Sequence, residues 1–567
     1  MPQSKRILLL VPIVLWGCST SNSGSPPVDA SAGDALGDSA MQTGDAIALD
    51  AGVADGAADA GDAAMTNDGG DAGDAVAMND SGDAAPSSDG GDGGDAGDSG
   101  LLAGQRLPTG DFITPTAAPG SALTTFNPGM VGAPNFLADH AASSVTSPDG
   151  KTLLVLTSGY NETNYTPAEN QADEGYEIPS ESGEWVFVYD ISGNRAPVQK
   201  QILSLPNSFA GIAFNPSGAE FYVAGGQDDN VHVFDRVGAV WAERSVTTDA
   251  GTAPAPIALG HQSALGLANY PQSAGVAVTR DGSKLVVANY ENDSISIVDL
   301  GTQTVTAELD LRPGKAATSP ATGVAGGEFP FWIVIKGNDT AYVSSQRDRE
   351  VDVVTLAAPD GGAVAPAVTR RIAVGGQPNK MILNRDQTRL FVANGNSDTV
   401  TVVDTTSDTV IETVSVLAPP NVLANAQGLK GANPNGLALS SDEKTLYVTD
   451  GATNAVAVVA RDPRSRTGAQ TIGLIPTGWY PTSVSTSADG SYLYVTNAKS
   501  VPGAACLDIL DASWGPVGTL DGGPTEGGGP TPDQHCWNGN QYVWQLETAG
   551  LMSTPTPSAS TLGALTE

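Results

Sequence analysis

One short phrase recurs seven times along this chain. Its middle element reads LLVLT at 153–157, FYVAG at 221–225, LVVAN at 285–289 and AYVSS at 341–345. It continues as LFVAN at 390–394, LYVTD at 446–450 and LYVTN at 493–497. Each copy alternates with period two and is rich in β-branched residues, the pattern of a strand. A turn bearing Asp-Gly or a substitute precedes it, and a hairpin carrying Asn, Asp or Ser follows. Successive copies start roughly 47 to 68 residues apart, a spacing that signals stacked repeats because one such unit cannot bury its faces alone.

The third repeat shows the whole unit. A first strand at 275–279 is followed by the turn Arg280-Asp281-Gly282-Ser283, a second strand at Lys284–Asn289, a third at 294–300 (SISIVDL) and a fourth at Thr304–Asp310. The fifth repeats this, with TVTVVDT at 399–405 as its third strand. Further third strands read at 185–191, 231–235, 351–356 and 455–460, and the best candidate in the seventh repeat is 542–546 (YVWQL). Asn, Asp and Gly stand where hairpins need a positive φ or a local side-chain hydrogen bond. The expected architecture is therefore all-β: a seven-bladed β-propeller of four-stranded antiparallel blades. A β-solenoid would use shorter, more uniform repeats without these hairpins.

A proline precedes the turn's Asp or Asn by eight residues in four repeats, at Pro330, Pro378, Pro434 and Pro481. Each leads into an innermost strand, so its neighbours are expected to ring one mouth of the central channel. They are Phe329 and Phe331, Gln377 and Asn379, Asn433 and Asn435, and Tyr480 and Thr482 with Trp479 beside them, and Tyr270 before Pro271 is a shifted variant. The prolines themselves are explained by stiff crossovers with unpaired edges. The varied side chains beside them are the binding candidates.

The propeller is expected over 101–550, and what precedes it differs in kind. Lys5 and Arg6, a short apolar run from Ile7 to Trp16 interrupted by Pro12, and Leu15-Trp16-Gly17-Cys18 read as a lipoprotein signal over 1–18, with lipid on Cys18. Residues 19–100 carry 17 Asp and no Lys, Arg, Glu or aromatic residue. Such a segment cannot offset its chain entropy by burial, so it is expected to be a disordered acidic spacer. Of the formal charge of −37, −22 falls on 101–567. Cys506 and Cys536 remain in one loop-rich insertion. An exported chain suits a disulfide between them, and His535 leaves a metal reading open.

The LYVTN and LFVAN strands, with S-x-D-G turns and N-D-S or S-D-T hairpins, resemble the YVTN-repeat, YncE-like β-propellers. In addition, LPTG at 107–110, ITPTAA at 113–118, LLVLTSGYN at 153–161, IPTGWYP at 475–481 and the stretch 542–565 look like proteins joining such a propeller to an alkaline-phosphatase-type phosphoesterase domain. That resemblance implies that 551–567 is a lead-in to a catalytic domain that this chain does not include. The four histidines, His140, His232, His261 and His535, show no ligand spacing, and no G-x-S-x-G, phosphate loop or H-E-x-x-H occurs. No cofactor and no enzyme activity are expected.

With −22 on 101–567 and only Arg370-Arg371 and the 461–466 stretch as basic clusters, nucleic acid is not an expected partner. The expectation is a monomeric binding or scaffold module, held at the membrane by its lipid, exported to the periplasm or cell surface. Its partner would be an envelope protein, a surface glycan or a small ligand. The alternative is the non-catalytic front part of a phosphoesterase system. Long insertions at 160–184 and 502–540 are further recognition candidates.

Overall fold

In the computed structural model the described residues are 118–130, 136–159, 183–193, 196–249, 251–260, 272–314, 325–356, 365–420, 430–499 and 547–566, plus the backbone of four two-residue strands. The signal, Cys18, the acidic spacer, Tyr270, Cys506, Cys536 and the strand expected at 542–546 lie outside them.

The repeats fold as seven antiparallel blades of four strands, the second extended by the short strand Ile257–Ala258. The fifth is representative: Pro378–Leu383 innermost, then Arg389–Asn394, Thr399–Asp404 and Thr409–Ser415 at the rim. Its middle strands pair in unbroken register from Arg389↔Asp404 to Asn394↔Thr399. Hydroxyl and carboxylate pairs shape the turn between first and second strands. Ser147 Oγ donates to Asp149 at 2.6 Å, Thr279 Oγ1 to Asp281 at 2.7 Å and Ser487 Oγ to Asp489 at 2.8 Å. Gly150, Gly282 and Gly490 follow at φ 68, 73 and 74°, which explains the glycine of the S-x-D-G signature.

Facing blades bury their middle strands completely. Leu390, Val392 and Val403 of the fifth blade meet Tyr342, Val351 and Val353 of the fourth, while Phe391, Val400 and Val402 meet Leu446 and Val448 of the sixth. Because both faces of each middle strand are covered, apolar burial supplies the main cohesion.

The seventh blade corrects the expected ending. Its third strand is Gly550–Pro555, paired with Tyr492–Asn497 from Tyr492↔Pro555 to Asn497↔Gly550. The position expected for 542–546 is thus taken by a segment with only Leu551 and Met552 as large apolar residues, which is why periodicity did not single it out. The rim strand is Ala122–Thr125 from the other end of the propeller region, pairing Ala122↔Ser553 through Thr125↔Gly550. This joint ties the two ends of the propeller region into one blade and closes the ring. The boundary at 550 moves accordingly, and 551–566 belongs to the propeller. The terminal helix Ala559–Thr566 buries Leu562 and Leu565 against Val456, Val458 and Ile475. Gly473 has no side chain because a Cβ there would stand 2.5 Å from Leu562.

Candidate functional site: the channel mouth

The innermost strands of the fourth to seventh blades begin at Pro330, Pro378, Pro434 and Pro481. The residue before each is left-handed: Phe329 at φ 53°, Gln377 at 51°, Asn433 at 53° and Tyr480 at 52°. His140 and Gln272 take the same conformation at the corresponding positions of the first and third blades. This backbone costs a non-glycine residue about 1–2 kcal/mol, and proline steers its predecessor toward extended backbone. A hydrogen bond from the preceding blade offsets the cost. The Phe329 N–H donates to Asp293 Oδ1 at 3.0 Å, the Asn433 N–H to Asp398 Oδ1 at 3.2 Å and the Tyr480 N–H to Asn454 Oδ1 at 2.9 Å. The bonds to the Asp293 and Asp398 carboxylates each contribute about 1.5–3 kcal/mol, enough to match the strain, and the neutral Asn454 amide contributes about 0.5–1.5 kcal/mol. The proline motif is therefore an inter-blade staple.

Beyond the staple, polar side chains hand hydrogen bonds from blade to blade around the ring. Tyr290 Oη donates to Gln346 Oε1 at 3.1 Å, and Gln346 Nε2 donates to Asn379 Oδ1 at 2.8 Å. Asn379 Nδ2 donates to the Pro434 carbonyl at 3.2 Å and to Asn435 Oδ1 at 3.3 Å. Asn435 Nδ2 continues to the Pro481 carbonyl at 3.2 Å, and Thr482 Oγ1 donates to the Ala141 carbonyl of the first blade. Five donors thus connect the third blade to the first in one direction.

An aromatic cluster spans the second to fourth blades and shares Tyr290 with this relay. Phe209 lies 5.5 Å from Tyr290 and 5.9 Å from Phe331, and Tyr290 lies 5.0 Å from Phe329. Phe331 continues to Trp332 at 6.2 Å. All five rings are half-buried.

Beside the aromatic cluster stands Lys380. Its amine crosses the channel to donate to the Ala142 carbonyl at 2.6 Å and the Thr482 carbonyl at 3.0 Å, with the Trp332 ring 5.4 Å away. Among the described residues it has no carboxylate partner. Burial drops its pKa from 10.5 to about 7. His140 sits at the same mouth with Nδ1 shielded from water and unpartnered. Burial first, then the charges of Lys499 and Lys380, lower its pKa to about 4, so the ring is neutral at pH 7. Lys499 is neutralised by Glu547 at 2.7 Å and lies 5.8 Å from the Tyr480 ring.

The Asn that ends the repeated phrase has a different task. Asn289 Nδ2 donates to Ser294 and Ser296, and Asn394 Nδ2 to Thr399 and Thr401, tying second strand to third. In the sixth blade Asp450 replaces it, while Ala455 and Ala457 replace the hydroxyls. Both carboxyl oxygens of Asp450 are buried without a partner. Burial, with a smaller contribution from Asp398, pushes its pKa well above the carboxylate range.

The structure brings Phe329, Phe331, Asn379, Asn435 and Tyr480 to one mouth. Gln377 contributes its carbonyl, which accepts from the Gly395 N–H at 2.9 Å, and Asn433 does the same for Gly451 at 3.0 Å. Trp479 is 44% exposed beside them, its carbonyl bonded to the Lys499 N–H. Sequence reasoning missed Phe209, Tyr290, Gln346, Lys380 and His140, whereas Thr482 was among the expected proline neighbours. Aligning the innermost strands would have singled out Lys380, the one charged residue among their first four positions. The basic stretch 461–466 lies elsewhere, where Arg461 covers the Phe391 ring at 5.0 Å and Arg466 meets Asp404 at 3.1 Å. His232 is packed against Glu243 at 2.6 Å.

No protein-family description matches the sequence, and no characterised protein resembles it closely enough to align. Solved structures resemble it at low identity. Hydrazine synthase of Kuenenia stuttgartiensis shares 17% identity over 64% of this chain and 93% of its own, with a TM-score of 0.44. A periplasmic gluconolactonase of Pseudomonas aeruginosa shares 15% over 64% and 97%, with a TM-score of 0.42. A protein of Bacteroides uniformis described as a putative 6-phosphogluconolactonase shares 16% over 61% and 89%, also at 0.42. These likenesses concern the propeller fold alone.

Proposed function

We propose that this chain is an exported, lipid-anchored propeller of the YVTN-repeat type that binds a small ligand at its channel mouth, without catalysing its conversion. The observation that carries the reading is the unequal division of the mouth. Amide and hydroxyl groups run from Tyr290 to Thr482, and Phe209, Phe329, Phe331 and Trp332 form an aromatic cluster over the second to fourth blades. A site with a few convergent polar groups beside an apolar wall suits a compact ligand with both kinds of surface. The lipid anchor rests on Cys18 and the apolar run before it, and the acidic spacer would carry the propeller clear of the membrane.

A thermal-shift panel of monosaccharides, amino acids and small aromatic amides on the full chain tests the mouth. At least one compound is expected to raise Tm in the wild type and to lose that effect in Asn379→Ala/Asn435→Ala. A panel without any such compound would sink the reading. Anchoring has its own check: Cys18→Ala should move the protein from the membrane to the soluble fraction, and unchanged fractionation refutes a lipid tether.

A further inference from the structure

We propose that the throat beneath the mouth takes a small monocarboxylate, with Lys380 as its counter-ion and His140 beside it. This rests on the mouth-binding reading and adds the charge class of the ligand. The first argument is charge. Residues 101–567 carry −22, yet among the described residues the buried ammonium of Lys380 faces two carbonyls and an indole ring but no carboxylate. An unpaired buried charge is costly, and methionine would span the same gap without it. Two of the three ammonium hydrogens are engaged, and the third is left for an acceptor.

The neighbours favour an anion as well. His140 Nδ1 is shielded and unpartnered, and a neutral imidazole can donate from that atom without adding charge. Glu547 is occupied by Lys499. At the first blade's entrance, burial first and then the charge of the buried Asp139, which directly precedes His140, push Glu184 well above the carboxylate range. One ammonium balances a single negative charge, and among the described residues no guanidinium fork approaches Lys380 to grip a phosphate. From Lys380 the aromatic wall runs without interruption through Trp332, Phe331 and Tyr290, so the carboxylate should carry an aryl or alkyl body.

Calorimetric titration of the full chain at pH 6 with benzoate, its neutral counterpart benzamide, and inorganic phosphate decides the matter. Benzoate should bind saturably, and both Lys380→Met and Lys380→Gln should weaken it at least about tenfold while keeping the wild-type circular dichroism. Wild-type affinity for benzoate should also fall between pH 6 and 9 as the amine loses its proton, and His140 is neutral throughout that range. If benzamide binds as tightly as benzoate, or both variants bind benzoate unchanged, the mouth reading survives and the anion inference fails. Displacement of benzoate by an equal concentration of phosphate would overturn the carboxylate class. No binding of these probes or of the neutral panel removes both readings together.

Discussion

The middle strands and the innermost strands of the blades obey opposite rules. Middle strands repeat almost letter for letter, because each lies in the same environment, between two neighbouring blades. Leu153, Leu285, Leu390 and Leu493 are all fully buried. Innermost strands converge on one axis, where seven identical side chains would collide, so they must differ. Their third positions read Ser143, Gly211, Gly275, Trp332, Lys380, Gly436 and Ser483. A Cβ on Gly211 would stand 2.1 Å from the Ala274 carbonyl oxygen, and one on Gly275 2.5 Å from that of Phe331. Large side chains enter only from the fourth and fifth blades, and these are Trp332 and Lys380. Repetition thus marks cohesion, and departure from it marks the site.

Truncating a middle strand should have the largest effect. Phe391 is 1% exposed, packs between the fifth and sixth blades and lies under Arg461. Phe391→Ala should cost about 3–5 kcal/mol, read from the denaturant midpoint. A loss below about 1 kcal/mol would mean that the blade interfaces tolerate cavities and that the comparison is drawn too sharply.

The throat should respond to pH instead. The folded pKa of Lys380, about 7, lies below the 10.5 of a free lysine. Between those values the unfolded chain binds more protons, so this residue's contribution to stability rises with pH across that window. Relative to Lys380→Met, the wild type should gain about 2–4 kcal/mol from pH 7 to 10. A stability difference that stays flat with pH would show that the amine remains solvated.

A smaller effect is expected where a middle strand departs from its own rule. Asp450 has a folded pKa raised above its unfolded value, so its stabilising share is complete below the usual carboxylate range and disappears as pH rises through the folded value. Asp450→Asn restores the residue type found at 289, 394 and 497 and should stabilise by about 1–2 kcal/mol at pH 8, with little change at pH 4. Equal melting temperatures at both pH values would argue against a buried, partnerless carboxyl.

Much of the fold was legible because period-two alternation and turn residues act over a few positions. The middle strands, the S-x-D-G turns and the proline starts of four inner strands could all be read in this way. The seventh blade was only partly legible: Gly550–Pro555 and Ala122–Thr125 are weakly patterned, and they pair across the whole length of the propeller. At the mouth, Phe331, Asn379 and Asn435 followed from their place beside the prolines. Tyr290 and Gln346 did not, because they sit on hairpins whose approach to the axis depends on the curvature of the ring.

By itself the sequence determined the unit, its number and the residue types that turn it, since these follow from neighbours along the chain. Tertiary structure alone decided that an N-terminal strand completes the last blade, and that Lys380 spans the channel to carbonyls 102 and 238 residues away. The physical reason is closure. A ring fixes which distant backbones meet at its axis, and no local pattern encodes which carbonyl an amine in the fifth blade will find there.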